Sequence, residues 1–179
     1  RIEGKDATLD ELKQFSAVPF HIPWYRSRDS NKVFPWFLSD VGDLNASQPF
    51  LRGVIEKNPF FDHAEITYLI ARKGSTPVGR IASVVDHRYN EENNQNAGWI
   101  SMPEFIEDPY TAEQLINEAC STLLYKGCDK AIGPAKFNAN GEVGLLIDGF
   151  DKKPYFMEGY NAPYYQEYFE DFGFVKQND

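Results

Sequence analysis

Asp108-Pro109 opens a run in which Ala112, Leu115, Ile116, Ala119, Leu123 and Leu124 recur at steps of three and four. That spacing predicts one apolar stripe along a helix. Asp at the N-cap, Pro in the first turn and Gly127 after the last turn supply its punctuation. A helix so striped must bury one face, and the segments flanking it read as strands, Ala97 to Met102 before it and Cys128 to Gly133 after it. Upstream, Glu65 to Arg72 alternates Ile66, Tyr68 and Ile70 against Thr67, Leu69 and Ala71. Lys73-Gly74-Ser75-Thr76 turns the chain into a second strand, Pro77 to Val85, as a hairpin. Both faces of these strands carry apolar residues, so helices should cover both sides of the sheet. Antiparallel pairing first and a strand–helix–strand crossover last predict an α/β fold with a mixed, mostly antiparallel sheet.

The remaining segments are less regular. Thr8 and Glu11 form a capping box ahead of Leu9, Leu12 and Phe15. Pro19 and Pro23 interrupt an aromatic stretch that a regular helix would not tolerate. Asp29-Ser30-Asn31 reads as a turn, Ser47 to Lys57 as a short helix ended by Asn58-Pro59, and Asp86 to Asn96 as a polar loop. From Gly133 to Phe174 polar turn residues are strung between Leu145, Leu146, Ile147, Phe150 and Phe156, which must lie on a core. Asn161 reads as the cap of a last helix striped by Tyr165, Phe169 and Phe172, with Tyr164 and Tyr168 beside the stripe. A further strand is expected from Phe174 to Gln177.

With 179 residues the chain is expected to be one domain spanning residues 1–179. It starts at Arg1 without Met and stops where a strand is expected to begin, which leaves truncation at one or both ends open. The formal net charge of -9 argues against a nucleic-acid backbone or an anionic membrane as partner. Cys120 and Cys128 do not make a disulfide framework and read as small buried hydrophobes of a reducing compartment, hence a cytoplasmic protein. No apolar run reaches the ~18–20 residues of a membrane span. His21 and His87 lie without partners at ligand spacing, and no metal site is expected.

The order of these elements resembles the GCN5-related N-acetyltransferase superfamily. The resemblance is sharper with a group of uncharacterised bacterial proteins of that superfamily. It is carried by Asn58-Pro59-Phe60-Phe61-Asp62-His63-Ala64-Glu65, Val78-Gly79-Arg80-Ile81, Gly133-Pro134, Gly144 to Phe150 and Tyr160-Asn161-Ala162-Pro163-Tyr164-Tyr165. It runs from about Phe15 to Lys176. What it implies is acyl transfer from acyl-CoA, acetyl-CoA or an acyl carrier to an amine, with a small-molecule substrate. Members of that group are usually longer, so a further C-terminal domain or a homo-oligomer is compatible with the resemblance.

Such chemistry needs amides for the donor pyrophosphate, a strand amide for the thioester carbonyl, and groups that move protons. The superfamily's Arg/Gln-x-x-Gly-x-Gly/Ala loop corresponds here to Met102 through Pro109, which has no glycine, no basic residue and three carboxylates. The cofactor-binding residues therefore stay unassigned, and any acyl donor needs another binding route. The superfamily's acid Tyr falls on Phe169, which moves attention to Tyr165 one turn earlier and to Tyr168 beside it, about 100° around the helix. Glu65, at a strand start beside His63, is the candidate base. Packing for the tyrosines and an edge position for Glu65 are the structural alternatives. Asn138, Asn140 and Glu142 form a polar turn that either recognises a substrate or only turns the chain, and Asp148, Tyr160 and Asn161 are grouped with them. The alternative to an enzyme is a non-catalytic module on the same fold that binds a ligand or a protein.

Overall fold

The structure is a computed structural model that describes residues 1–4, 7–26, 59–152 and 158–177. The expected turn at residues 29–31, the helix at 47–57 and Phe156 lie outside the described residues. The strands are β1 (Ile2–Glu3), β2 (Ala64–Lys73), β3 (Thr76–Asp86), β4 (Ala97–Phe105), β5 (Lys130–Lys136) and β6 (Asn138–Val143). The helices are α1 (Leu9–Ala17), α2 (Pro23–Arg26), α3 (His87–Asn93), α4 (Pro109–Tyr125) and α5 (Tyr164–Asp171). The strands form one sheet in chain order, antiparallel throughout except for the parallel pair β4–β5 made by the α4 crossover. This is the mixed, mostly antiparallel sheet that the element order implies.

Period-two alternation sends β2 and β3 side chains to two cores. Leu69, Ile81, Val85 and Ile100 meet Ala112, Leu115, Ile116, Ala119 and Leu123 of α4 and the tyrosines of α5 on one face. Ile66, Tyr68, Val84 and Trp99 meet Leu12 and Phe15 of α1 on the other. The α4 stripe is the expected one except at its end, where Leu124 is 71% exposed and Thr122 is buried in its stead. Leu124 follows Leu123 by a single residue, about 100° away from the core-facing line. Thr8 and Glu11 make both bonds of the capping box on α1. The two cysteines are free, Cys128 buried and Cys120 partly so.

Several local expectations are corrected. The Asp86–Asn96 loop contains α3, started by the Asp86 carboxylate accepting the Tyr89 N–H and ended by Asn94 in a left-handed conformation. Residues 138–142 are strand rather than turn. Asn161 does not cap α5, because its amide is committed to both backbone groups of Leu146. The strand at Phe174–Gln177 is not formed. The Phe174 N–H instead bonds the Phe169 carbonyl and closes α5, with Gly173 at φ 85° supplying the turn. The strand after α4 begins at Lys130 and passes through Gly133 to Lys136.

Gly133 lies against β4. A Cβ there would stand 2.6 Å from the Ile100 carbonyl oxygen, and φ is +151°. Both the contact and the backbone angle restrict this position to glycine. Gly133→Ala is expected to destabilise the fold by about 2–3 kcal/mol. A drop in the urea midpoint at unchanged m-value would show it.

Candidate active site

β4 and β5 run together only at their start. Their pairing extends from Ala97–Lys130 to Ser101–Ala135. Beyond it β4 stays with β3, placing Arg80 opposite Glu104 and Gly79 opposite Phe105. β5 turns to β6 through Ala135 opposite Val143. The divergence begins at a β-bulge, where Met102 and Pro103 together face the single residue Ile81 between the Arg80 and Ala82 pairings. Met102 has φ 48°, a left-handed conformation that a side-chain-bearing residue adopts only where its surroundings enforce it. Such strain is concentrated at functional sites. Just past β5, the Phe137 N–H is held by the Ser101 hydroxyl at 2.9 Å.

The wedge between the strands is an open cleft. Arg80, Glu104 and Tyr165 line it together with Met102 and Pro103 of the bulge, Pro134, Ala135 and Lys136 of β5, and Glu142, Leu145, Tyr160 and Asn161. Arg80, Glu104 and Tyr165 are buried. The Tyr25 hydroxyl donates to Glu104 Oε2 at 2.5 Å, and the Tyr165 hydroxyl donates to the same oxygen at 3.3 Å. Tyr165 accepts the Phe105 N–H at 2.8 Å in turn. Burial, and after it the Glu104 charge, holds both phenols well above the usual tyrosine range. They therefore stay protonated and act as donors. The Arg80 guanidinium donates to the Phe15 carbonyl at 3.2 Å and lies 4.9 Å from the Phe15 ring centroid, so α1 and α2 both secure this group of charges.

The sequence candidates divide between this cleft and other places. Tyr165, Glu142, Tyr160 and Asn161 line it. Tyr160 is anchored by its hydroxyl on the Phe150 carbonyl and by its ring beside Trp24. Asn138 and Asn140 contribute backbone to β6, and their side chains lie outside what the structure describes. Asp148 is exposed and accepts the Gly149 N–H. Tyr168 is buried beside Tyr164 and Phe105, away from the cleft lining. Glu65 bonds Lys126 and His87, each at 2.8 Å. The Lys126 and His87 hydrogen bonds hold its carboxyl at about 2, where it is a weak base near neutrality. Glu104, Arg80 and Tyr25 were missed. A charged residue within the apolar strand Val78–Val85 was the readable sign, since a buried charge needs partners.

The helix behind the bulge is closed to a ligand in a different way. Asp108 Oδ2 accepts the Thr111 N–H at 3.1 Å and the Thr111 hydroxyl, and it bonds Lys73 Nζ at 3.0 Å. Among the described residues no group of His, Cys, Asp and Glu side chains could hold a metal ion, and no helix is long and apolar enough to cross a membrane.

No protein-family model matches the chain. Two curated relatives are similar along nearly all of it. The bacterial ceramide synthase of Caulobacter vibrioides is 31% identical over 173 residues, which are 96% of this chain and 42% of the relative. Protein YghO of Escherichia coli is 32% identical over 170 residues, 95% of this chain and 40% of the relative. The chain thus spans about two-fifths of the length of the curated relatives it matches. A solved structure of a probable acetyltransferase superposes with a TM-score of 0.49 at 12% identity, covering 99% of this chain and 90% of that one. A likeness of that degree carries no argument.

The Glu65 ion pairs give a pH signature. The folded carboxyl titrates at about 2 against an ordinary 4.5, so its stabilising contribution is full above about 4.5 and fades as pH falls through about 2. The protein should be more stable than its Glu65→Gln variant near neutrality, with the gap closing across that acid window in urea titrations.

Proposed function

We propose that the chain is the acyl-transfer portion of an N-acyltransferase that moves an acyl group from a thioester to the amine of an amphiphile. The carrying observation is the buried Glu104 carboxylate at the floor of a cleft opened by the strained Met102-Pro103 bulge. Acyl transfer to an amine needs an acceptor for the amine's proton and donors for the carbonyl oxygen. Glu104 fits the first role. Its charge attracts the ammonium form of the acceptor and its carboxylate takes the proton. The C–N bond then forms, the C–S bond breaks, and the leaving thiolate takes the second proton that the amine nitrogen loses. On the β4 edge beyond Ser101 the Phe105 N–H is taken by the Tyr165 hydroxyl and Pro103 has no N–H, so the donors of the second role lie elsewhere in the lining. Tyr25 and Tyr165 fix Glu104 Oε2 and so orient the other oxygen. Tyr165 is in this reading a positioning residue.

The relatives and the surroundings of the cleft bear on the acceptor. Ceramide synthase is the name of an enzyme that makes an amide of a fatty acid and a long-chain amino alcohol, and this chain aligns with 42% of one such relative. Val143 and Ile147, 54% and 57% exposed, flank Leu145 of the cleft lining and suit a hydrocarbon chain. The superfamily resemblance points to the same reaction class.

The test is amide formation from a long-chain acyl-CoA and sphinganine, followed by mass spectrometry. Product is expected, and Glu104→Gln should lower turnover by about 10²–10³-fold. Tyr165→Phe, which keeps the ring in place, should lower it by about tenfold or less through a misoriented Glu104. A saturable rise in Tm with acyl-CoA, without product from any thioester, would sink this reading in favour of a binding module.

A further inference from the structure

The amide of an acyl group and an amphiphile carries two hydrocarbon chains, and the cleft has two apolar ways out. Leu145 lines it and packs against the core on the α4 face, whereas Met102 and Ala135 line it and belong with the core on the α1 face. The cleft therefore reaches both sides of the sheet. On the α4 side its rim is Val143 and Ile147, both open to water. The α1 side carries a different surface. Phe60, Phe61 and Phe137 are partly buried against the same core as Met102. The Phe137 ring stands 5.7 Å from Phe60 and 5.7 Å from Phe61, and those two are 5.5 Å apart. Phe137 directly follows Lys136 of the cleft lining, so this group of rings continues from the cleft.

Backbone strain marks the same place. Among the described residues the non-glycine positions with positive φ are Asn94, Met102 and Phe137. Asn94 ends α3, an ordinary place for a left-handed residue. Met102 and Phe137, at φ 48° and 67°, end no helix, and both present large apolar side chains to the α1 face beside the cleft. The two ways out also differ in polarity. Met102 and Ala135 offer no side-chain hydrogen-bonding group beyond a thioether, while Glu142 lines the cleft next to Val143. An acyl chain is apolar from its carbonyl onward, whereas an amino alcohol carries a hydroxyl beside its amine. We infer that the acyl chain of the donor leaves the cleft past Met102 and Ala135 and lies on the Phe60–Phe61–Phe137 surface, opposite the rim that takes the acceptor's chain. The donor class is therefore a long-chain acyl thioester, its length read by these three rings. This rests on the proposed function.

The test compares kcat/KM for hexadecanoyl-CoA and octanoyl-CoA with sphinganine as acceptor. The longer donor is expected to be favoured at least about tenfold, since each methylene that is fully buried strengthens binding about fourfold. Phe61→Ala and Phe137→Ala should each cut that preference to about a third or less. Ile147→Ser should leave it in place and instead weaken the preference for sphinganine over a short-chain amino alcohol. No preference for the longer donor overturns the inference, and so does a preference that Ile147→Ser removes and the phenylalanine variants do not. A second readout needs no variant. Hexadecanoyl-CoA bearing a diazirine near its methyl end is irradiated on the unaltered protein, and the labelled peptides are mapped by mass spectrometry. Label on Phe60, Phe61 or Phe137 is expected, and label confined to Val143–Ile147 overturns the inference. Product from no acyl thioester would defeat the proposed reaction itself, whereas product accompanied by label at the rim defeats only this inference.

Discussion

Everything around the cleft depends on the parting of β4 from β5 after Ser101. Two parallel strands that stayed paired would close the sheet and leave no wedge. The bulge prevents that by setting two residues, Met102 and Pro103, against Ile81. Pro103 cannot donate a ladder hydrogen bond, so its presence is tolerated at such an irregularity and would be costly within a continuous central strand. Gly133 works on the other side of the same junction, keeping β5 within reach of the Ile100 carbonyl just before the strands separate. Strand divergence is therefore built from both chains, with the backbone strain at Met102 located where the cleft begins.

The bulge also explains how a carboxylate comes to be buried. It resets the alternation of β4 so that Glu104 falls opposite Arg80 and inside the protein. Burying either charge alone would cost several kcal/mol, and even a paired arrangement seldom contributes net stability. Two phenols on Glu104, and a backbone carbonyl and an aromatic ring on Arg80, offset that cost with groups drawn from α1, α2 and α5. Three separate elements thus converge on chemistry that the core does not need. A well-packed apolar pair would hold the sheet at least as well, which is why this arrangement points to function.

Much of the frame was legible because periodic burial writes itself into sequence. α4 announced itself by its stripe and Asp108 cap, and the β2–β3 hairpin by alternation around Gly74. α3 was not legible, since a seven-residue helix with no buried residue has no stripe to read, and its start depends on the single bond from Asp86. β6 was hidden by Asn and Gly, whose turn preference was overridden by pairing with β5. The strand after α5 was expected from Phe174 and Val175, yet the helix end claims the Phe174 N–H and Val175 is exposed. For the cleft the limitation was different. Pro103 read as a strand end, so Glu104 was placed among loop carboxylates, and the contacts of Tyr25 and Arg80 join residues 79 and 65 positions away in the chain.

The same carboxylate chemistry accounts for the α4 entrance. A helix N-terminus has a small number of open donors, and they serve either a side-chain cap or an anionic ligand. Asp108 commits the Thr111 N–H to a side-chain cap, an arrangement worth about 1 kcal/mol. Here Asp108 takes the Thr111 N–H and hydroxyl, Pro109 offers no N–H, and Lys73 is drawn to the same carboxylate. The bulge at Met102-Pro103 thus sets both where β4 leaves β5 and where Glu104 comes to be buried.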